Sequence, residues 1–394
     1  MIDSPPASRL LPETLHLLDG GAQVYPAMLE AIENARRQIH LEMYAFSATG
    51  VGARFVAALC GAARRGVDVT VVIDGWGSAQ GGRAIVAALN EAGCNATIHN
   101  RLRALLVGRV GRNHRKVLLV DDELAFIGGL NIGDENLDDG SHVGWADLAL
   151  EIRGPQCAYL GPMLRGELHG RHDSSLRFHL CGLSGGWRMR RRYVTMFRKA
   201  KKSILVAHGY FLPDRSVLRA ITRAARRGVR VDLLLAGRTD VPFARAATRS
   251  LYRRLLRAGV HIREWKGSVL HAKIAAIDGE WLLVGSFNLD PLSLANLEAL
   301  VEVNDPALVA CGEVWIREHL LQARSITTGD DVGGRGGAMG RFNPLGGVAA
   351  RLAHLAGALL GWPGRSRRAS WRGPPEERVG EVEPVAEVEK VGRG

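Results

Sequence analysis

Apolar positions along the chain recur with two periods, and the two alternate. Stretches with helical i, i+3, i+4 spacing end in a glycine and are followed by short β-branched or leucine-rich runs. One such passage, Ala62-Ala63-Arg64-Arg65-Gly66-Val67, returns unchanged as Ala224-Ala225-Arg226-Arg227-Gly228-Val229. Each copy reads as helix, glycine stop and strand, the strands covering 69–74 and 231–235. Further strand signals lie upstream at 39–46 and 204–211, each preceded by a charged helix carrying Arg36-Arg37 or Lys201-Lys202. Alternating helices and strands in both halves predict two tandem α/β domains with mixed sheets flanked by helices.

A second repeat carries chemistry. His114-Arg115-Lys116, four apolar residues, Asp121, six residues and Gly128-Gly129-Leu130-Asn131 match His271-Ala272-Lys273, four apolar residues, Asp278, six residues and Gly285-Ser286-Phe287-Asn288. The offset drops from 162 to 157 between the two repeats, which implies a shorter connecting loop in the second half. The runs 117–120 and 274–277 read as buried strands, so His and Lys stand at alternate positions on one face. Both copies continue to a pair of carboxylates four residues apart, Asp147 and Glu151, then Glu298 and Glu302.

The expected layout is an N-terminal segment at 1–14, a first domain at 15–160 and a basic interdomain segment at 161–189. A second domain at 190–323 and a tail at 324–394 follow. The tail opens glycine-rich, then places Leu345, Val348, Leu352, Leu355, Leu359 and Trp362 on one helical stripe over 345–362. That stripe either lies in a bilayer interface beside Arg365, Arg367, Arg368 and Arg372 or packs on its own domain.

Composition narrows the partners. The chain of 394 residues has 52 Lys and Arg against 40 Asp and Glu, and 46% of it is hydrophobic. This is a folded, basic protein suited to an anionic partner: nucleic acid, acidic lipid or a phosphorylated substrate. The five cysteines are widely spaced with no Cys-x-x-Cys pair, and they read as reduced and mostly buried thiols in a cytosolic compartment. No cleaved signal and no run of about 20 apolar residues is visible, so peripheral membrane attachment is expected rather than a span.

Two histidines with identical surroundings can divide the work at phosphorus, one neutral as nucleophile and one protonated as acid. Lys116 and Lys273 supply point charges for phosphate oxygens, while Asn131, Asn288 and Ser286 supply hydrogen-bond donors. The chain has only seven lysines, yet two stand at these matched positions. Such charge stabilisation serves phosphoryl chemistry without a metal or another cofactor, and none is expected.

The paired His-x-Lys-x4-Asp segments resemble the signature of the phospholipase D superfamily. Over about residues 14–310 the chain further resembles bacterial cardiolipin synthases without N-terminal membrane helices. That likeness includes Leu17-Leu18-Asp19-Gly20-Gly21, Tyr25-Pro26, Asp74-Gly75-Trp76-Gly77-Ser78, Phe126-Ile127-Gly128-Gly129-Leu130-Asn131-Ile132-Gly133, Tyr210-Phe211-Leu212-Pro213 and 285–293. The resemblance implies two α/β lobes whose motifs meet at a pseudo-twofold interface, and a covalent phosphatidyl-histidine intermediate. It implies His114 as nucleophile and His271 as general acid and then base, the reverse order staying open. It makes Asp147 and Glu298 the carboxylates that orient a histidine. Asp121 and Asp278 are read as structural residues at strand ends, and Gly129 is a position where similar synthases also carry glycine.

The function expected from the resemblance is transfer of a phosphatidyl group between phospholipids, with phosphatidylglycerol as acceptor and phosphatidylethanolamine or phosphatidylglycerol as donor. It also implies a peripheral location on the cytoplasmic face of a bacterial inner membrane. The rival readings are a phospholipase D hydrolase, a metal-independent nuclease and a catalytically silent lipid-binding module. Nucleic acid is not expected as a partner. Arg101, Arg103, Arg109, Arg112 and Arg115 are read as headgroup or membrane contacts, with a solvated loop as the plain alternative. Arg188, Arg190, Arg191 and Arg192, with Trp187 and Met189, form a second basic-aromatic patch. The other histidines weighed, His208 among them, are read as surface or satisfied core residues.

Overall fold

The computed structural model describes residues 14–100, 111–167, 176–182, 185–239 and 242–328. The first half runs β1 (Thr14–Asp19), α1 (Gly20–Asn34), β2 (Gln38–Met43), α2 (Val51–Arg64), β3 (Asp68–Asp74), α3 (Gly82–Glu91) and β4 (Asn95–His99). It closes with β5 (Lys116–Val120), β6 (Leu124–Gly128) and β7 (Leu148–Arg153). The seven strands form one sheet in the order β1-β7-β6-β5-β2-β3-β4. Pairing is parallel among β2, β3 and β4 and antiparallel elsewhere.

After α4 (Leu160–Leu164) and β8 (Leu176–Cys181) the plan repeats: α5 (Gly186–Lys199), β9 (Ser203–His208), α6 (Arg215–Arg226), β10 (Arg230–Ala236), α7 (Pro242–Arg249) and α8 (Tyr252–Leu256). Then come β11 (His261–Trp265), β12 (Lys273–Ile277), β13 (Trp281–Gly285), β14 (Glu298–Val303), α9 (Pro306–Gln322) and β15 (Arg324–Ile326). The second sheet has eight strands in the order β15-β11-β10-β9-β12-β13-β14-β8.

Strand β8 falls inside the basic segment at 161–189, and it pairs antiparallel with β14. Leu176 and Phe178 alternate into the core, while Arg177 and His179 reach Glu302 on the neighbouring strand. The segment thus completes the second sheet. The change of repeat offset has two parts: the loop before the motif has sixteen residues (100–115) in the first half and seven (266–272) in the second, and a longer path from the repeated helix end to the end of β11 than to the end of β4 restores four of those nine positions.

Among the described residues, three apolar clusters form the core. One lies under α1 and α2, a second under α5 and α6, and a third is sandwiched between the two sheets. Along β5, Val117 and Leu119 join the intersheet cluster while Leu118 and Val120 face the helices. Burial on both faces is why these strands read as continuous apolar runs without alternation. Across the halves, the Trp315 indole of α9 donates to Asp19 at 2.7 Å.

The motif aspartates terminate the central strands. Asp121 and Asp278 adopt left-handed φ of 54° and 59°. Their carboxylates accept the backbone N–H groups of Arg36, Arg37 and Gln38, and of Lys201, Lys202 and Ser203, clamping the starts of β2 and β9. Cys60, Cys94, Cys157 and Cys181 are buried free thiols, and Cys311 is exposed. Among the described residues no helix is long and apolar enough to cross a membrane. The amphipathic stripe at 345–362 lies outside the described residues, as do Arg101, Arg103 and Arg109.

Candidate active site

The two halves are laced together at the backbone just ahead of each motif. His114 N donates to Leu297 O at 2.9 Å, and Leu297 N donates to Arg112 O at 2.8 Å. In the symmetric place, His271 N donates to Ala146 O at 2.9 Å and Ala146 N donates to Val269 O at 2.8 Å. Each histidine is thereby set beside the residue that follows Leu297 or Ala146, a carboxylate of the opposite half. His114 Nδ1 lies 3.0 Å from Glu298 Oε2, and His271 Nδ1 lies 2.6 Å from Asp147 Oδ2. The pairing crosses the interface, so neither half holds a complete His–carboxylate couple. The Nδ1–carboxylate contact leaves Nε2 of each ring as the reactive edge.

The lysines follow their histidines at the first position of a central strand. Lys116 Nζ donates to His114 O at 2.9 Å, and Lys273 Nζ donates to His271 O. Both cations lie near a tyrosine ring, Lys116 4.9 Å from the centroid of Tyr44 and Lys273 5.9 Å from that of Tyr210. The same rings flank the histidines edge-on, and Trp145 lies 5.3 Å from His271. Asn131 accepts from Ala45 N at 3.3 Å, and Asn288 donates its backbone N–H to Ser293 Oγ at 3.0 Å. His114, Lys116, Asn131, His271, Lys273 and Asn288 are all buried, as are Asp147, Ser286 and Glu298.

The two couples differ in charge. Burial pushes the Glu298 carboxyl up to about 8, against the pull of Lys116 and Ser286. Burial also acts on Asp147, but Lys273 and His271 outweigh it and hold that carboxyl below its usual range. Burial, then the charges of Lys116 and Lys273, drive His114 well below the usual imidazole range. His271 is lowered by burial and Lys273 with Asp147 pulling the other way. Lys116 falls to about 7, through burial first and then repulsion from Lys273. Among the described residues, no three His, Cys, Asp or Glu side chains converge as metal ligands.

The Gly129–Ser286 difference also has a structural basis. Ser286 Oγ bonds Glu298, whereas a Cβ on Gly129 would stand 2.2 Å from Asp147 Oδ1. The shorter Asp147 sits where the first half has no side chain to spare.

Several residues outside the repeat prove structural to the site. Asp74, at the Asp-Gly-Trp-Gly-Ser turn, is fully buried and accepts from Trp76 N, Gly77 N and Asn113 N, fixing the residue before His114. Glu42 accepts from Asn113 Nδ2 at 2.7 Å and pairs with Arg115. Arg115 is therefore not a headgroup contact: it is buried and also donates to Cys181 O, because it must neutralise Glu42 inside the fold. Arg112 turns inward to Tyr44 and the Trp76 ring. In the second patch, Arg190 pairs with Asp214 and Arg192 with Glu302, leaving Trp187, Arg188 and Arg191 exposed. Of all these, the turn at Asp74 and the Tyr210 segment carry a signal readable in sequence. Glu42 has no repeat to mark it.

Comparison with known proteins identifies the family. The family described as "Cardiolipin synthase, PLD-like domain" matches residues 28–153 and 193–320. Cardiolipin synthase B of Salmonella typhi is 36% identical over 315 residues, 74% of this chain and 76% of that one. Cardiolipin synthase B of Escherichia coli K12 is 35% identical over 419 aligned residues, covering 96% and 97%. Among solved structures, phosphatidylserine synthase of Haemophilus influenzae superposes with a TM-score of 0.66, covering 88% of this chain and 94% of that one. At 15% identity that likeness shows the fold alone.

Proposed function

The chain belongs to the cardiolipin synthase, PLD-like domain family and is a phosphatidyltransferase of the phospholipase D superfamily, and we propose that it builds cardiolipin by way of a phosphohistidine at His114. In the first step His114 Nε2 attacks phosphorus, the bond to the leaving alcohol oxygen breaks, and His271 gives that oxygen its proton. In the second, His271 takes the proton of a phosphatidylglycerol hydroxyl, whose oxygen attacks phosphorus as the P–N bond breaks. Lys116 and Lys273 flank the histidines and supply positive charge for the phosphate oxygens through both steps.

The observation that supports this division of roles is the unequal crossed pair. Burial and the charges of Lys116 and Lys273 hold His114 in the neutral form that a nucleophile requires. His271 keeps an ionised Asp147 at 2.6 Å, which supports the imidazolium that a general acid must be. Peripheral attachment to the cytoplasmic leaflet is part of the same reading. Exposed Trp187, Arg188 and Arg191 suit an anionic bilayer surface, aromatic and basic groups being the side chains that settle at headgroup level.

The test is incubation of purified protein with phosphatidylglycerol vesicles in chelator, with products resolved by mass spectrometry. Cardiolipin and glycerol are expected, and both are lost in His114→Ala and His271→Ala. Phosphatidic acid alone would make the protein a hydrolase, and chelator-resistant DNA cleavage would make it a nuclease.

A further inference from the structure

The two halves share a plan but not a surface charge. In each, a pair of helices forms an outer layer, α1 with α2 over the first sheet and α5 with α6 over the second, and the apolar cluster between the sheets sets these layers on opposite faces of the molecule. The α1–α2 layer is balanced, with Glu30 and Glu33 against Arg54 and Arg64. The α5–α6 layer has ten basic residues and no acidic one. Helix α6 buries Val217, Leu218, Ile221 and Ala224 and turns Arg215, Arg219, Arg223 and Arg226 outward in one stripe. Helix α5 exposes Arg188, Arg191, Arg198 and Lys199 in the same layer. Arg227 ties the far ends of the two helices together by donating to Arg198 O at 3.0 Å and Ala200 O at 3.2 Å. Of the ten, Arg190 and Arg192 pair with Asp214 and Glu302, and among the described residues the other eight pair with no carboxylate.

Like charges four apart on a helix destabilise it, as at Arg215, Arg219 and Arg223, so the chain keeps this face against its own folding. An arginine-rich composition does not account for it, because the duplicate layer of the same chain is balanced. The layer also begins at the active site. A Cβ on Gly186 would stand 2.5 Å from Ser293 O, so the start of α5 closes onto the loop that follows Asn288. Helix α6 is capped by Asp214, four residues after Tyr210, whose ring centroid lies 5.9 Å from Lys273 Nζ. Trp187, 54% exposed, stands at the same end of α5. From there the arginine stripe runs the 12 residues of α6, about 18 Å.

We infer that the α5–α6 layer seats the protein on an anionic phospholipid bilayer with the α1–α2 layer turned away, so that one half of the duplicated chain docks while both halves supply the site. The outward arginines meet lipid phosphates, whose oxygens their planar forks bond in pairs. Trp187 settles at headgroup level beside the site. The docking surface thus extends from the start of α5 over the whole layer, and it fixes which side of the molecule meets lipid. The choice of a bilayer over another polyanion rests on the phosphatidyl-transfer reading; the unequal charge of the two faces does not.

The experiment compares two charge-matched variants of the full chain by sedimentation with vesicles of phosphatidylglycerol in phosphatidylcholine. Arg219→Gln with Arg223→Gln thins the α6 stripe, and Arg54→Gln with Arg64→Gln removes the same charge from the opposite layer. The first is expected to bind the vesicles about thirtyfold more weakly, roughly fivefold for each basic residue, and with a shallower dependence on salt. The second is expected to bind as the wild type does, with the unfolding temperatures of both near that of the wild type. Equal weakening in the two variants, or none in the first, overturns the inference. Duplex DNA is the competing polyanion: if at equal phosphate concentration it strips the wild type from vesicles, and its own binding falls in the first variant alone, the face belongs to nucleic acid and the lipid occupant is overturned. Vesicle binding lost in the first variant alone, in a protein that makes no cardiolipin from phosphatidylglycerol, upholds the docking face and refutes the transfer reading instead.

Discussion

His114 Nδ1 and Glu298 Oε2 lie 3.0 Å apart although 184 positions separate them in the chain, and their symmetry mates His271 and Asp147 lie 2.6 Å apart across 124. The duplication therefore did not produce two sites but one site whose couples are exchanged. Each carboxylate holds the tautomer of a ring in the other half, so its loss is felt at that ring. Both Glu298→Gln and Asp147→Asn are expected to slow formation of the phosphoenzyme, since attack and leaving-group departure belong to one step, and Asp147→Asn to slow acceptor attack as well. Each should cost about 10²- to 10⁴-fold in kcat. Rapid-quench measurement of the phosphoenzyme checks this: a reduced burst is expected in both variants, and slower decay of the phosphoenzyme in Asp147→Asn.

The Gly129–Ser286 asymmetry predicts opposite tolerance in the two motifs. Gly129→Ala places a methyl group on the Asp147 carboxylate, which must swing away from His271. Ser286→Ala removes one bond to Glu298 and adds no atom. Transfer assays on vesicles should show Gly129→Ala losing at least about tenfold more activity than Ser286→Ala, since misplacing a catalytic couple costs more than one donor.

Stability should trade against activity in a pH-dependent way. Folding raises Glu298 from the usual 4.5 to about 8, so the stability that the protonated carboxyl contributes is full below about 4.5 and is lost as pH rises through about 8. Lys116 behaves in the opposite sense: its folded value of about 7 lies below the usual 10.5, so its stability deficit is greatest below 7 and closes towards 10.5. Glu298→Gln is expected to unfold at higher temperature than the wild type at pH 9 and near it at pH 5. Lys116→Met is expected to gain about 1–2 kcal/mol at pH 6 while losing transfer activity. Thermal unfolding across this range decides both.

Much of this arrangement is legible in the chain because duplication writes it twice. The two His-x-Lys-x4-Asp copies, their glycine–asparagine returns and the carboxylates at Asp147 and Glu298 all stand in one shared register, and the buried strands between them follow from apolar runs. The crossing does not show, because it depends on which loop meets which, and Ala146 and Leu297 bond through backbone atoms that carry no side-chain signature. Glu42 is similarly silent: only the fold reveals that Arg115, one residue from His114, is consumed in neutralising it. His208 reads as an ordinary core histidine, and only the fold shows it buried with neither ring nitrogen hydrogen-bonded among the described residues.

The same distinction between inward and outward arginines separates folding from lipid binding in a measurable way. Arg115 and Glu42 form a buried pair, with Asn113 and His40 also on Glu42 and Cys181 O on Arg115. Removing one member leaves the other charged and desolvated, which costs about 3–5 kcal/mol. Arg115→Ala should therefore unfold at a temperature well below the wild type, with the folded fraction sedimenting with anionic vesicles as before. Trp187→Ala with Arg188→Glu and Arg191→Glu removes one ring contact to Arg190 and leaves the Arg190–Asp214 pair in place, and its unfolding temperature should stay close to the wild type. That variant should instead lose vesicle affinity, by about 1 kcal/mol for each basic residue removed near the surface, and more steeply at low salt, where exposed charges are least screened. Vesicle sedimentation and thermal unfolding on the two proteins give crossed results if Arg115 is structural and the start of α5 is the surface that meets lipid. Equal loss of vesicle binding in both would return Arg115 to the lipid surface.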